Sequence, residues 1–231
     1  MDSETLEAKD FQVRPYRPSD RDSVRALCCE TGFLGSAIDP VFEDRELFAD
    51  FLTDYYLRHE PDSAFVVTKN DIVHGYLLGA HHLSSHRFHS LLQIFNFLPK
   101  LVWRYLGYRP ESRRYIHWLI SRAWREVPVA PRNIGHFHVN LLPTVKSIQV
   151  FRLLLETYLR HLYDQGVKQV HAQMVTFDGR RGPKLFERYG FKVINQSEIT
   201  KYRRYTDQSV YLCTIVKTLE GESERLLYPV R

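Results

Sequence analysis

Hydrophobic and polar positions change period several times along the chain, and each change predicts an element. Between Gly135 and Leu141, Phe137, Val139 and Leu141 alternate with His136, His138 and Asn140, the pattern of a strand with two unlike faces. Leu142 and Pro143 end it, because proline cannot donate to a ladder. A long helix follows from about Lys146, with Ile148, Phe151, Leu155, Tyr158, Leu159 and Leu162 at helical spacing and Gly166 as its cap. Arg152, Glu156, Arg160 and Asp164 step along the opposite face as alternating charges. A strand that feeds a helix start brings free N–H groups and a positive dipole end to one spot, which can hold a phosphate or pyrophosphate.

The same patterns divide the rest of the chain. A strand is predicted over Phe11 to Pro15, then a helix to about Glu30 opened by Ser19 with Asp22 three residues on. Thr31 to Pro40 is a loop with Gly32 and Gly35. A second helix runs from about Glu43 to Leu57, with Leu47, Phe51, Leu52 and Tyr55 on one face. Ser63 to Lys69 and Ile72 to Ala80 are strands joined across Asn70 and Asp71. After the central helix come a strand over Val167 to Val175, a short helix over about Pro183 to Tyr189, and antiparallel strands over Lys192 to Arg203 and Ser209 to Thr218. This order predicts a mixed α/β fold: one domain over 11–218, with 1–10 and 219–231 as polar tails.

These elements carry a resemblance. The strand, Pro-containing turn and helix around Gly135 to Gly166 resemble the acetyl-CoA-binding segment of the GNAT N-acetyltransferase superfamily, where the turn reads Arg-x-x-Gly-x-Gly. Leu185-Phe-Glu-Arg-Tyr-Gly-Phe191 resembles the family's later leucine, tyrosine, acidic, basic, x, glycine, phenylalanine segment. Phe11-Gln-Val-Arg-Pro with Ser19-Asp-Arg-Asp, and Gly75-Tyr-Leu-Leu-Gly79, resemble its first strand and helix and its third strand. The match spans about 11–82 and 134–218 in the family's order, which is more specific than any single motif. It implies a mostly antiparallel central sheet flanked by helices. Gln149 and Phe151 stand where the family has its two loop glycines, and Lys146 or Arg152 represents its arginine. Phe186 replaces the general-acid tyrosine, and Gly179 stands at the asparagine seven residues earlier.

Between the third and fourth strands, about 83–133 is an insertion that a typical member of that family lacks. It holds Trp103, Trp118 and Trp124. Over 86–132 nine arginine and lysine residues face two glutamates, an excess larger than the +5 of the whole 231-residue chain. Helices are predicted over Leu91 to Leu106 and Ile116 to Arg125. Three readings compete: a helical hairpin packed on the sheet edge, a lid over the acceptor site, and a basic aromatic surface for a membrane or an acidic partner, which ranks third. No nucleic-acid-binding motif accompanies the charge.

Composition adds bounds. At 44% hydrophobic and 26% charged the chain can bury a large core, and its pI near 9.1 suits an anionic ligand such as CoA. Three cysteines, with Cys28 and Cys29 adjacent, suggest neither a disulfide framework nor a metal site, so a reducing cytoplasm is the default. The stretch MDSETLEAKD lacks the apolar core of a secretory signal, and no apolar run reaches the length of a membrane span.

The resemblance implies acetyl transfer from acetyl-CoA to a primary amine, with the acceptor either a small molecule or a protein. Catalysis there needs a held pyrophosphate, a polarised thioester carbonyl, a base for the amine and an acid for the leaving thiolate. The resemblance gives the backbone of Val139, Asn140 and Leu141 to the pantetheine arm and carbonyl. It gives Lys146, Ser147, Gln149, Val150, Phe151 and Arg152 to the pyrophosphate. The His136/His138 pair is the candidate base, against a structural, hydrogen-bonded pair. Tyr189, three residues past Phe186, is the candidate acid, against a core tyrosine. No metal is expected, since two histidines without a third ligand are a weak signal. The alternative function is a catalytically idle GNAT-like module that binds a ligand or partner through the insertion.

Overall fold

The computed structural model describes residues 10–81, 97–145, 147–177 and 186–219. Seven strands form one sheet: β1 (Gln12–Pro15), β2 (Ala64–Lys69), β3 (Ile72–Ala80), β4 (Gly135–Leu141), β5 (Gln169–Phe177), β6 (Lys192–Glu198) and β7 (Val210–Thr218). Their order is β1-β2-β3-β4-β5-β7-β6. Every neighbouring pair is antiparallel except β4 and β5. Asn70 and Asp71 both take positive φ, 50° and 61°, and so close the β2–β3 hairpin as a two-residue primed turn.

Helices cover both faces. On one lie α1 (Arg21–Thr31) and α2 (Arg45–His59), and their apolar residues form one core with Tyr16, Val66, Tyr76 and Leu78 of the sheet side. On the other lies α6 (Ile148–Asp164), whose Val150, Leu154, Tyr158 and Leu162 are buried with Val67, Leu77, Phe137 and Ile215. Ser147 caps α6 by accepting the Val150 N–H at 3.1 Å. At its other end Gly166 takes φ 73°, and the Val167 N–H reaches back to the Leu162 carbonyl at 2.9 Å, a Schellman closure that needs a glycine. Gly79 matters for another reason. A Cβ there would lie 2.2 Å from the Tyr158 Oη, so the bare backbone lets α6 settle on β3.

Between β3 and β4 the chain is helical in α3 (97–105), α4 (Pro110–Ser121) and α5 (Ala123–Glu126). Ile116 and Trp118 are buried against the α1–α2 layer, whereas Trp103 and Trp124 are 88% and 69% exposed. Glu126 anchors this region: it accepts from Trp118 Nε1 at 2.6 Å and from the N–H and hydroxyl of Thr200 at 2.6 and 2.7 Å. Part of the region's positive charge is spent within the chain. Arg104 pairs with Asp44, Arg109 with Glu43 and Arg114 with Glu111.

Four expected details differ. Ser19 does not cap α1; Asp20 holds the N-cap position, and its side chain caps no amide of α1 but accepts the Arg17 N–H at 2.8 Å and two N–H groups of Arg14. Phe51 leaves the apolar face of α2, stands 53% exposed and meets the Phe97 ring at 5.7 Å. The sixth strand stops at Glu198 because Thr200–Tyr202 form a 3-10 turn. β5 runs two residues later than predicted, to Phe177. Most of the predicted Pro183 to Tyr189 helix lies outside the described residues, as do Gly179 and Leu185.

Candidate active site

The site arises where the sheet opens. β4 and β5 pair in parallel at Gly135 with Val170 and at His136 with His171, and the pairing then stops. Beyond that point β4 stays on β3, with Val139 opposite Leu77 and Asn140 opposite Tyr76, while β5 stays on β7 through Phe177. The two strands splay, and the cleft between them is a cavity of about 530 Å³. Backbone groups of a strand alternate between its two edges. From Phe137 to Leu141, therefore, those on the β5 edge face the cleft with no strand partner among the described residues.

The cleft opens on both faces of the sheet. On the α6 face it is lined by Val139, Leu141, Ser147, Ile148, Phe151, Met174, Phe186 and Tyr189. On the α1–α2 face it is lined by the Thr31–Gly35 turn, Phe48, Leu52, His138, Gln173, Val175, Phe177 and Tyr202. Alternation along β4 and β5 sends odd and even positions to opposite sides of one gap.

The His138 ring lines the cleft, and its Nδ1 is shielded from solvent without a hydrogen-bond partner among the described residues. Burial pushes the imidazole down to about 4, so it is neutral at pH 7. The Tyr76 ring packs edge-on against it at 5.6 Å. Tyr76 Oη in turn accepts from Asn140 Nδ2 at 2.9 Å, which fixes Asn140 beside the cleft. His136 does not join His138 in the cleft. Its Nδ1 shares a 2.9 Å hydrogen bond with Tyr56 Oη, and its ring lies 5.0 Å from that of His171. The pair expected to act together is therefore split, His138 in the cleft and His136 below it.

Tyr189 reaches the cleft and packs edge-on against Phe151 at 5.3 Å. Burial pushes its hydroxyl up, and its carbonyl accepts from Lys217 Nζ at 2.9 Å. Phe186 is buried in the same wall. Burial also pushes the Cys28 and Cys29 thiols up to about 12 and about 11, which keeps them protonated. Among the described residues no three His, Cys, Asp or Glu side chains are placed to hold a metal ion.

The helix start offers fewer amides than its sequence implies. The Ser147 N–H donates to the Val145 carbonyl, the Val150 N–H to Ser147 Oγ and the Phe151 N–H to the Ser147 carbonyl. Val150 points into the core, 1% exposed, and Arg152 pairs with Glu156 at 2.7 Å. The amides of Ile148 and Gln149 are left without an acceptor among the described residues, with the dipole of a 17-residue helix behind them. Lys146 lies outside the described residues. Sequence reasoning missed Ile148, Gln173, Met174 and Tyr202 as lining residues. The alternation of β5 could have singled out Gln173, whose Nε2 donates to the Pro128 carbonyl at 2.7 Å.

Solved structures share this fold. The chain is similar to SsHAT at 27% identity, covering 92% of this chain and 100% of that one with a TM-score of 0.63. It is similar to yncA of Salmonella typhimurium, solved with its cofactor acetyl-CoA, at 13% identity, 93% and 96% coverage and a TM-score of 0.54. It is similar to a Drosophila melanogaster polyamine N-acetyltransferase that forms N-acetylagmatine, at 14% identity, 90% and 100% coverage and a TM-score of 0.53. No family sequence model and no curated protein sequence matches the chain. The fold is that of the GNAT N-acetyltransferases.

Proposed function

We propose that this protein is an acyl-CoA-dependent N-acyltransferase that moves an acetyl group from acetyl-CoA directly to a primary amine of a small molecule. The observation that carries the proposal is the splayed β4–β5 pair, whose cleft joins an unpaired strand edge, a neutral histidine and a helix start. The pantetheine arm lies along β4, where N–H groups between Val139 and Leu141 polarise the thioester carbonyl. The amides of Ile148 and Gln149 take the pyrophosphate, supported by the α6 dipole and by the cations of Lys146 and Arg152.

The amine enters from the α1–α2 face as its neutral free base, its ammonium proton left in bulk water, and its nitrogen attacks the thioester carbonyl carbon. A C–N bond forms, the C–S bond breaks, and the nitrogen gives a proton to Nε2 of His138. A weak base suffices there, because bonding to the carbonyl carbon makes that N–H far more acidic than a free ammonium. The thiolate takes a proton from Tyr189 Oη, which regains it from water. His136 stays structural.

Release of free CoA thiol tests this. Adding a small primary amine to protein and acetyl-CoA produces saturable thiol release, and His138→Ala lowers kcat about 100-fold. A folded protein that binds acetyl-CoA and releases no thiol with any amine contradicts it.

A second reading is a GNAT-like module that binds without turning over. Phe186, buried where the family has its acid, and the exposed Trp103 and Trp124 on the segment that links β3 to β4 favour it. Amine-dependent thiol release decides between the two.

A further inference from the structure

The acceptor half of the cleft differs from a site for a polycation. Its described lining residues include Thr31, Leu34, Phe48, Leu52, Phe177 and Tyr202, and the whole described cavity wall contains no aspartate, glutamate, lysine or arginine. Most acidic residues of α1, α2 and the loop between them are committed elsewhere. Glu30 and Asp39 pair with Arg45, Glu46 and Asp50 with Arg25, and Glu126 with Trp118 and Thr200. Polar groups on this side are neutral: the His138 ring, the Tyr202 hydroxyl and Gln173, which is held by the Pro128 carbonyl.

A cavity of this kind selects by tail. An amine whose tail carries an ammonium or a guanidinium would have to bury that charge with no carboxylate partner among the described lining residues, which is costly in a low-dielectric site. An amine with an aryl or branched alkyl tail removes apolar area from water against Phe48, Leu52 and Phe177 and leaves nothing unpaired. We infer that the acceptor is a primary monoamine with an apolar, aromatic tail, of the arylalkylamine class, and not a polyamine or guanidino amine. The inference rests on the acyl-transfer reading above.

Rates of thiol release at saturating acetyl-CoA, with phenethylamine and tryptamine set against agmatine and spermidine, test it. The wild-type protein should show kcat/KM at least tenfold higher for the aryl amines. Leu52→Glu, which places a carboxylate on a half-buried helical position in the lining, should cut that ratio at least tenfold. Phenethylamine should also raise the melting temperature of the CoA-bound protein where agmatine does not, a readout independent of turnover and of any variant.

Agmatine or spermidine as the equal or better acceptor overturns the acceptor class and leaves acyl transfer standing. Bound acetyl-CoA with no aryl amine acetylated and no thermal shift also overturns it. Failure to bind acetyl-CoA at all overturns the underlying reading instead.

Discussion

His138 concentrates the account at the scale of a single residue. An unfolded chain takes up its proton as pH falls through 6.5, while the folded chain does not until about 4. The unfolded state therefore binds more protons between those values, and stability falls with pH across that window and is full above it. His74 and His161, also lowered by burial, add to the same slope. Urea unfolding between pH 7.5 and 4.5 should show that decline, with a shallower slope in His138→Phe; an unchanged slope would mean the imidazole is not desolvated as described. The sequence placed His138 on the polar side of its strand through simple alternation. Its burial was not legible there, because the Tyr76 ring that shields it arrives from β3. Nor was the separation of His136, which depends on Tyr56 of α2, 80 residues away.

Strands and helices were the most legible level, and for a physical reason: period and turn chemistry are local. Asn70-Asp71 and Gly166 mark ends that the structure keeps. What local pattern could not give was the role of Glu126, whose partners Trp118 and Thr200 belong to separate segments. This carboxylate ties α4 and α5 to the turn after β6, and burial of an ion without such partners would be unfavourable. Glu126→Ala should destabilise the protein by about 2–3 kcal/mol in urea titration, the size expected for hydrogen bonds to a charged group. Glu126→Gln should recover part of that loss. An unchanged midpoint in Glu126→Ala would show that the helical region is held by its apolar contacts alone.

For the whole molecule, topology creates the site. Six strand pairings hold the sheet together, and the one parallel pairing ends after two residues. No periodicity in β4 or β5 encodes that divergence; it follows from how each strand is claimed by its antiparallel neighbour, β3 on one side and β7 on the other. The sequence accordingly showed the strand and the helix start but not the cavity between them, nor the lining that β5 supplies. The central claim, that this gap holds an acyl-CoA, is tested most directly by calorimetric titration of the purified protein with acetyl-CoA, beside Met174→Trp, which fills the cleft from the β5 side. The account predicts one saturable site with a micromolar Kd, lost in Met174→Trp while the variant keeps its circular dichroism spectrum. Absence of binding by the folded wild-type protein, or unchanged binding by the variant, would contradict it.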